Sequence, residues 1–285
     1  WRPTLAFVLL IVAVAPVLFA NLPRRMLILT GLYPFIGFWL IWGGTIVGPL
    51  ISLCGFVVAY YVFVQVDKRF SFAVGLLAAL VTAILVWSLG GPLKITFEDF
   101  VALEAVPSRD MGGFMLNIIL GTVCVSLSLP IGILLALGRQ SNMPIIKGIC
   151  VVFIEFIRGV PLITLLFVAN VVLAYFLPPG TNFDLILRVI IMITLFSSAY
   201  IAEVIRGGLA ALPRGQYEAA DSLGLDYAQS MRLIILPQAL KISIPGIVNV
   251  SVGLFKDTTL VSVISMFDLV GMIRGPIVSS TEWNG

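Results

Sequence analysis

Apolar residues fall in long runs along this chain, and short polar stretches separate the runs. Runs cover residues 5–22, 26–42, 45–64 and 70–89, then 116–137, 149–177, 185–205 and 242–264. Each is about 20 residues, the length an α-helix needs to cross a bilayer core. The pattern therefore predicts about eight membrane-spanning helices, with a kink at Pro34 in the second. Alternating ten-residue strand patterns with turn signals are absent, which argues against a β-barrel. Two stretches break the apolar rhythm. Residues 90–113 carry Lys94, Glu98, Asp99, Glu104, Arg109 and Asp110, and residues 206–241 form the second polar region. The first is taken as a boundary, which gives an N-terminal part, 1–110, and a second part, 111–285.

Composition agrees. Apolar residues make up 60% of the 285 residues and charged ones 11%, against about 25% charged in soluble domains; mean hydropathy is +1.13. The net charge of +3 is too small to suggest nucleic-acid binding. Assigned to alternate sides, the loops place Arg24, Arg25, Lys68, Arg69, Arg139, Lys147, Arg158, Arg206, Arg214, Arg232 and Lys241 on one side. Arg2, Lys94, Arg109, Arg188 and Arg274 fall on the other. The basic excess marks the first side as cytoplasmic. Region 206–241 is then cytoplasmic and 90–113 extracytoplasmic. Trp39, Trp42, Trp87 and Trp283 lie near predicted span ends, as interfacial aromatics do. The chain starts at Trp1 and ends at Gly285 without a closing helix, so truncation at both ends is expected. No signal peptide is expected, because the first apolar run lacks a basic leader and a recognisable cleavage site.

Several chemistries are excluded. The chain has no histidine, hence no histidine triad, zinc site or proton relay, and no metal site is expected. No lysine follows a glycine, so there is no P-loop and no ATP hydrolysis by this chain alone. Cys54, Cys124 and Cys150 form no C-x-x-C pair and read as buried small apolar residues.

The cytoplasmic region carries Glu218, Ala219 and Ala220, then Gly224, then Ile234, Leu236 and Pro237, in the spacing E-A-A-x3-G-x9-I-x-L-P. Residues 216–223 are expected to form a short helix, Gly224 a left-handed turn that ends it, and Asp226 the cap of a second helix through Leu233. Pro237 is expected to stop that helix. The two small alanines would let another protein's surface approach closely.

This spacing resembles the EAA signature of the permease subunits of binding-protein-dependent ABC importers, and it matches all seven fixed residues over twenty positions. Further segments are similar to permeases for polar amino acids: EFIRGVPL at 155–162, AYIAEVIRGG at 199–208, LPRGQYE at 212–218, LPQAL at 236–240 and LFKDTTL at 254–260. The extra N-terminal helices resemble the M-type subunit of general L-amino-acid importers. The resemblance implies an all-α polytopic inner-membrane protein, with a type I ABC importer permease core in 111–285 and accessory helices in 1–110. The fifth core helix would lie beyond Gly285. It also implies a coupling loop, 206–241, whose Glu218, Ala219, Ala220, Gly224, Leu236 and Pro237 meet a separate cytoplasmic ATPase dimer that holds the ATP and magnesium; this chain would bind no cofactor. A second, related permease, a periplasmic amino-acid-binding protein and an L-amino-acid substrate would complete the system.

Charges at membrane depth are costly and usually functional. Lys256 and Asp257 fall late in the last run. Lys256 could meet the carboxylate of an amino acid and Asp257 its ammonium, with Asn249, Thr258 and Thr259 lining the same pathway; alternatively each charge pairs with another helix or subunit. Glu155 and Arg158 are three residues apart, as are Glu203 and Arg206, which suits intrahelical ion pairs or a cytoplasmic gate. Two G-x3-G spacings, Gly44 to Gly48 and Gly271 to Gly275, could allow close helix packing. A structural or assembly membrane protein would not need the EAA spacing. An intramembrane hydrolase would need two facing carboxylates at depth, and only Asp257 is placed there.

Overall fold

The computed structural model describes residues 1–19, 21–69, 72–96, 101–106, 111–172, 184–264 and 266–274. They fall into two compact units, Trp1–Pro107 and Ser108–Gly285. Among the described residues, five helices are long and apolar enough to cross a membrane, or six if one bent pair counts as a span. The shorter apolar helices Arg2–Val17 and Val74–Gly90 account for the other two of the eight predicted runs. Large apolar side chains cover much of the outer surface: Phe7, Ile28, Phe38, Val57, Leu77 and Ile84 are all exposed. Such a surface suits lipid rather than water.

The first unit contains α1 (Arg2–Leu18), α2 (Leu27–Trp42), α3 (Val47–Asp67) and α4 (Phe72–Thr96). Helix α2 runs on through Pro34. Helices α3 and α4 pack tightly because small residues sit at the contact. A Cβ on Gly55 would collide with Trp87 Nε1, and one on Gly90 with Ile51 Cγ2. Small residues of this kind bring helices together where no hydrophobic effect drives them. Gly44 is not among them: it lies in β1 (Gly44–Thr45), which pairs antiparallel with β2 (Ala102–Leu103). Its partner Gly48 opens α3. The G-x3-G reading fails there because the first glycine serves a turn (φ +78°) and not a helix face. Gly275 lies outside the described residues. The ribbon is held by Val106 N–H donating to Trp42 O at 2.9 Å, and by Arg2, whose Nε and Nη1 donate to Leu40 O and Glu104 O at 2.9 and 2.8 Å. Arg2, the 43–45 turn and the 102–106 segment thus meet at one end of this unit, the end the charge count assigns to one side of the membrane.

The second unit is built on α5 (Gly113–Gln140), α8 (Leu185–Ala210) and α11 (Leu236–Asp257). Its core includes Ala136, Ile154, Ile201, Ile205, Met231 and Ile235. Helices α8 and α11 approach closely at Gly208 and Gly246, where a Cβ would collide with Ser243 Oγ and Val204 Cγ1 respectively. The run expected as one span over 149–177 is two helices instead. α6 (Pro144–Gly159) and the helix beginning with α7 (Leu162–Phe167) meet at 103°. Val160 at the break is extended (φ −106°, ψ 131°), the conformation a following proline, here Pro161, imposes. Residues 173–177 lie outside the description. The last span also differs from its expected bounds: helical backbone is continuous over Tyr227–Ile264, 38 residues. It comprises α10 (Tyr227–Ser230), a π turn (Met231–Ile235), α11 and a 3-10 turn (Thr258–Ile264). At about 1.5 Å per residue this far exceeds a bilayer core, so one end projects from the membrane. Of the cysteines, Cys124 is buried as expected, Cys150 is half-buried and Cys54 is exposed on α3, a helix whose outer face is apolar.

Candidate coupling knob, charge network and membrane cavity

The projecting end carries the EAA segment. Helix α9 (Arg214–Ser222) starts after Pro213 and ends in a reversed turn. Gly224 has φ +67°, and its N–H donates to Asp221 O at 2.9 Å while Leu225 N–H donates to Ala220 O at 3.3 Å. This pair of bonds is a Schellman motif, which requires the left-handed residue that glycine supplies without strain. Asp226 then caps α10 as expected: its Oδ1 accepts from Gln229 N–H at 2.7 Å, and Gln229 Oε1 accepts from Asp226 N–H at 3.3 Å. The D-x-x-Q spacing of this capping box was readable, although only the aspartate was singled out. Pro237 does not stop the second helix. It occupies the first turn of α11, immediately after the π turn, where its missing N–H leaves the ladder little disturbed.

Glu218 and Ala219 are exposed, but Ala220 is completely buried. Its small side chain therefore serves the knob's interior rather than an outer face. Leu223 and Tyr227 project instead, 71% and 64% exposed, an apolar tip that water disfavours. Leu236 is half-buried and Pro237 exposed. Burial, with Tyr227 nearby, raises the Tyr217 hydroxyl above its ordinary range, so it stays neutral where it packs against the core. A tie the sequence did not disclose joins the knob to the membrane helix: Gln238 Nε2 donates to Gln216 Oε1 at 2.8 Å.

Five charged side chains gather where α5, α6 and α8 meet. Arg139 Nη1 lies 2.9 Å from Glu155 Oε1 and 3.3 Å from Glu203 Oε2. Arg206 Nε donates to Glu203 Oε1 at 2.9 Å, the expected i,i+3 pair. The other expected pair is not formed. Glu155 turns to Arg139, and Arg158 stands 3.8 Å from Glu203 with its guanidinium 5.7 Å from the centroid of the Tyr200 ring. Tertiary neighbours outweigh the local spacing because an i,i+3 pair is worth only about 0.2–0.5 kcal/mol. Arg139, previously only a loop charge, joins all three helices.

Lys256 and Asp257 end α11 and open on different spaces. Lys256 is exposed in a groove of about 620 Å³ between α5 and α11, with Thr122, Ser126, Ser251 and Phe255. Asp257, half-buried, lines a cavity of about 220 Å³ between α8 and α11, with Phe196, Ser197, Tyr200, Val250, Gly253 and Leu254. Adjacent helix residues point about 100° apart, so one small molecule in the cavity meets Asp257 and not Lys256. Ser197 is 1% exposed and its Oγ has no hydrogen-bond partner. Thr258 is buried and donates to Phe255 O at 2.7 Å, which makes it a packing residue here; Thr259 is exposed and donates to Lys256 O, and Asn249 is exposed.

Helices of membrane-spanning length, with a two-helix knob on one extended span, define a polytopic α-helical membrane protein. The chain belongs to the family described as binding-protein-dependent transport system inner membrane component, whose profile matches residues 128–274. It is 54% identical to the glutamate/glutamine/aspartate/asparagine transport system permease protein BztC of Rhodobacter capsulatus, over 100% of this chain and 66% of that protein. It is 50% identical to the inner membrane amino-acid ABC transporter permease protein YhdY of Escherichia coli, over 70% of this chain and 55% of that protein. The chain therefore spans just under two thirds of the first relative and about half of the second. A solved structure of an amino acid ABC transporter with histidines matches with a TM-score of 0.52 at 34% identity, covering 60% of this chain and 78% of that one. That family is one of inner-membrane transport components, and the five or six helices of spanning length make this chain an integral membrane protein.

Proposed function

We propose that this chain is a permease subunit that forms the amino-acid pathway of an ATP-driven importer and couples it to a separate ATPase through the EAA loop. The continuity of helix from the knob to the cavity supports this most: Tyr227–Ile264 joins the Schellman-turned knob directly to the stretch that carries Lys256 and Asp257. A push on the knob reaches the membrane with no loop to absorb it.

Glu218, Ala219, Gly224, Leu236 and Pro237, with the apolar tip of Leu223 and Tyr227, form the surface or frame that meets a cytoplasmic ATPase dimer; Ala220 acts from inside. ATP and magnesium belong to that ATPase, since this chain has no P-loop. A second, related permease closes the pathway, and a periplasmic amino-acid-binding protein delivers the substrate. Residues 111–285 are the core and 1–110 the accessory helices. Asp257 faces the substrate's ammonium in the cavity, Lys256, Asn249 and Thr259 lie on the exposed flanks of the same span end, and the Arg139–Glu155–Arg158–Glu203–Arg206 cluster is the knob-side gate. The substrates are L-amino acids with polar side chains, a class that the BztC likeness favours. Uptake of a labelled amino-acid panel into proteoliposomes holding the full complex tests this. ATP-dependent accumulation of at least one polar amino acid is expected, and none for the whole panel would refute it.

A further inference from the structure

The five charged groups of the network are not equally satisfied. Glu203 is held by Arg139 and Arg206 within hydrogen-bonding range, whereas Arg158 reaches it only at 3.8 Å, beyond a hydrogen bond. Arg158 Nε is buried without a hydrogen-bond partner. Three arginines against two glutamates leave one positive charge over, and Arg158 is the cation with its donors open. A guanidinium presents those donors as a planar fork that fits a carboxylate.

Tyr200 connects this arginine to the cavity. Its ring carries the Arg158 guanidinium, and it lines the same 220 Å³ space as Ser197 and Asp257. An α-amino acid in that space finds a carboxylate for its ammonium but no cation for its own carboxylate. Lys256 cannot supply one, because it opens on the other groove.

We propose that Arg158 reads the α-carboxylate of the amino acid leaving the α8–α11 cavity, exchanging its loose contact with Glu203 for a two-pronged pair with the substrate. The proposal rests on the permease reading. Glu203 keeps Arg139 and Arg206 through the exchange, so no buried charge is stranded. The α-carboxylate is common to all amino acids, so Arg158 selects the class and not the side chain.

The test uses the purified complex of this chain with its partner permease and ATPase, without binding protein, titrated with labelled L-glutamate, L-glutamine, L-aspartate and L-asparagine. Arg158→Gln is expected to weaken binding about tenfold or more, alike for every amino acid the wild type binds. Arg158→Lys, which keeps the charge and loses the fork, falls between. Glu203→Gln releases Arg158 and is expected to tighten binding. A purely structural Arg158 predicts that Arg158→Gln and Glu203→Gln shift affinity the same way, and that result overturns the proposal. An Arg158→Gln loss confined to the acidic amino acids also overturns it, as does transport by a wild-type complex with no saturable binding. Should Arg158→Gln fail to assemble, the sign of the Glu203→Gln shift decides. Uptake by the same wild-type complex in proteoliposomes with binding protein separates the failures: normal transport with binding insensitive to Arg158→Gln sinks this role alone, whereas no transport of any of the four sinks the permease reading.

Discussion

Arg139 and Asp257 show how far single residues direct this structure. One Nη1 of Arg139 serves Glu155 and Glu203, so it ties α5 to α6 and α8 at once, whereas Arg206 pairs within its own helix. Removing one partner of a buried pair costs about 3–5 kcal/mol. With 23% and 24% exposure at Arg139 and Glu203, we expect about 1–2 kcal/mol, reduced by solvent screening. Arg139→Met should therefore lower the melting temperature of the purified complex by more than Arg206→Met does, and an equal or reversed order would show that the network does not bind the helices together. Asp257 and Lys256 also differ, one half-buried in the smaller α8–α11 cavity and one exposed in the wider α5–α11 groove. Asp257→Asn should reduce uptake by assembled complex more than Lys256→Met, and the opposite ranking in a transport assay would move the pathway to the α5–α11 groove. The local roles of Gly224 and Asp226 were legible from sequence, because turn and cap chemistry depends on residues a few positions apart. The partners of Glu155 and Arg158 were not, because they come from other helices, which only the tertiary packing brings alongside.

At the scale of elements, the long helices were readable, and their ends, the π and 3-10 turns and the β1–β2 pair were not. The apolar run over 149–177 hid the bend at Gly159-Val160-Pro161, although the residue before a proline is biased away from helix. Pro237 misled in the opposite sense: the π turn ahead of it lets the helix pass through. That continuity gives the Gln216–Gln238 bond its importance, since it braces α9 against the base of α11. A net contribution of about 1 kcal/mol is typical of such a bond. A double-mutant cycle with Gln216→Ala and Gln238→Ala should yield a coupling energy of that order in complex stability, with fewer amino acids moved per ATP hydrolysed. Additive effects, with no change in that ratio, would leave the bond without a mechanical part.

For the whole molecule, membrane residence was plain from apolar run length, since an α-helix needs about 20 such residues to cross a bilayer whatever it packs against. The cavity beside Asp257 was not visible, because its walls join Ser197 and Tyr200 to residues fifty positions on. The central claim is that a rigid knob transmits a partner's ATP hydrolysis to that cavity, and Gly224 is where it is most exposed to test. A β-branched residue at φ +67° costs about 1–2 kcal/mol, and the strain should fall on the turn that sets the knob's shape. The decisive measurement is ATP-driven amino-acid uptake by proteoliposomes of the complex carrying Gly224→Val, with the amount of co-purified ATPase recorded beside it. The expected result is normal membrane insertion, reduced ATPase association and reduced uptake. A Gly224→Val complex that holds its ATPase and transports at the wild-type rate would contradict the account.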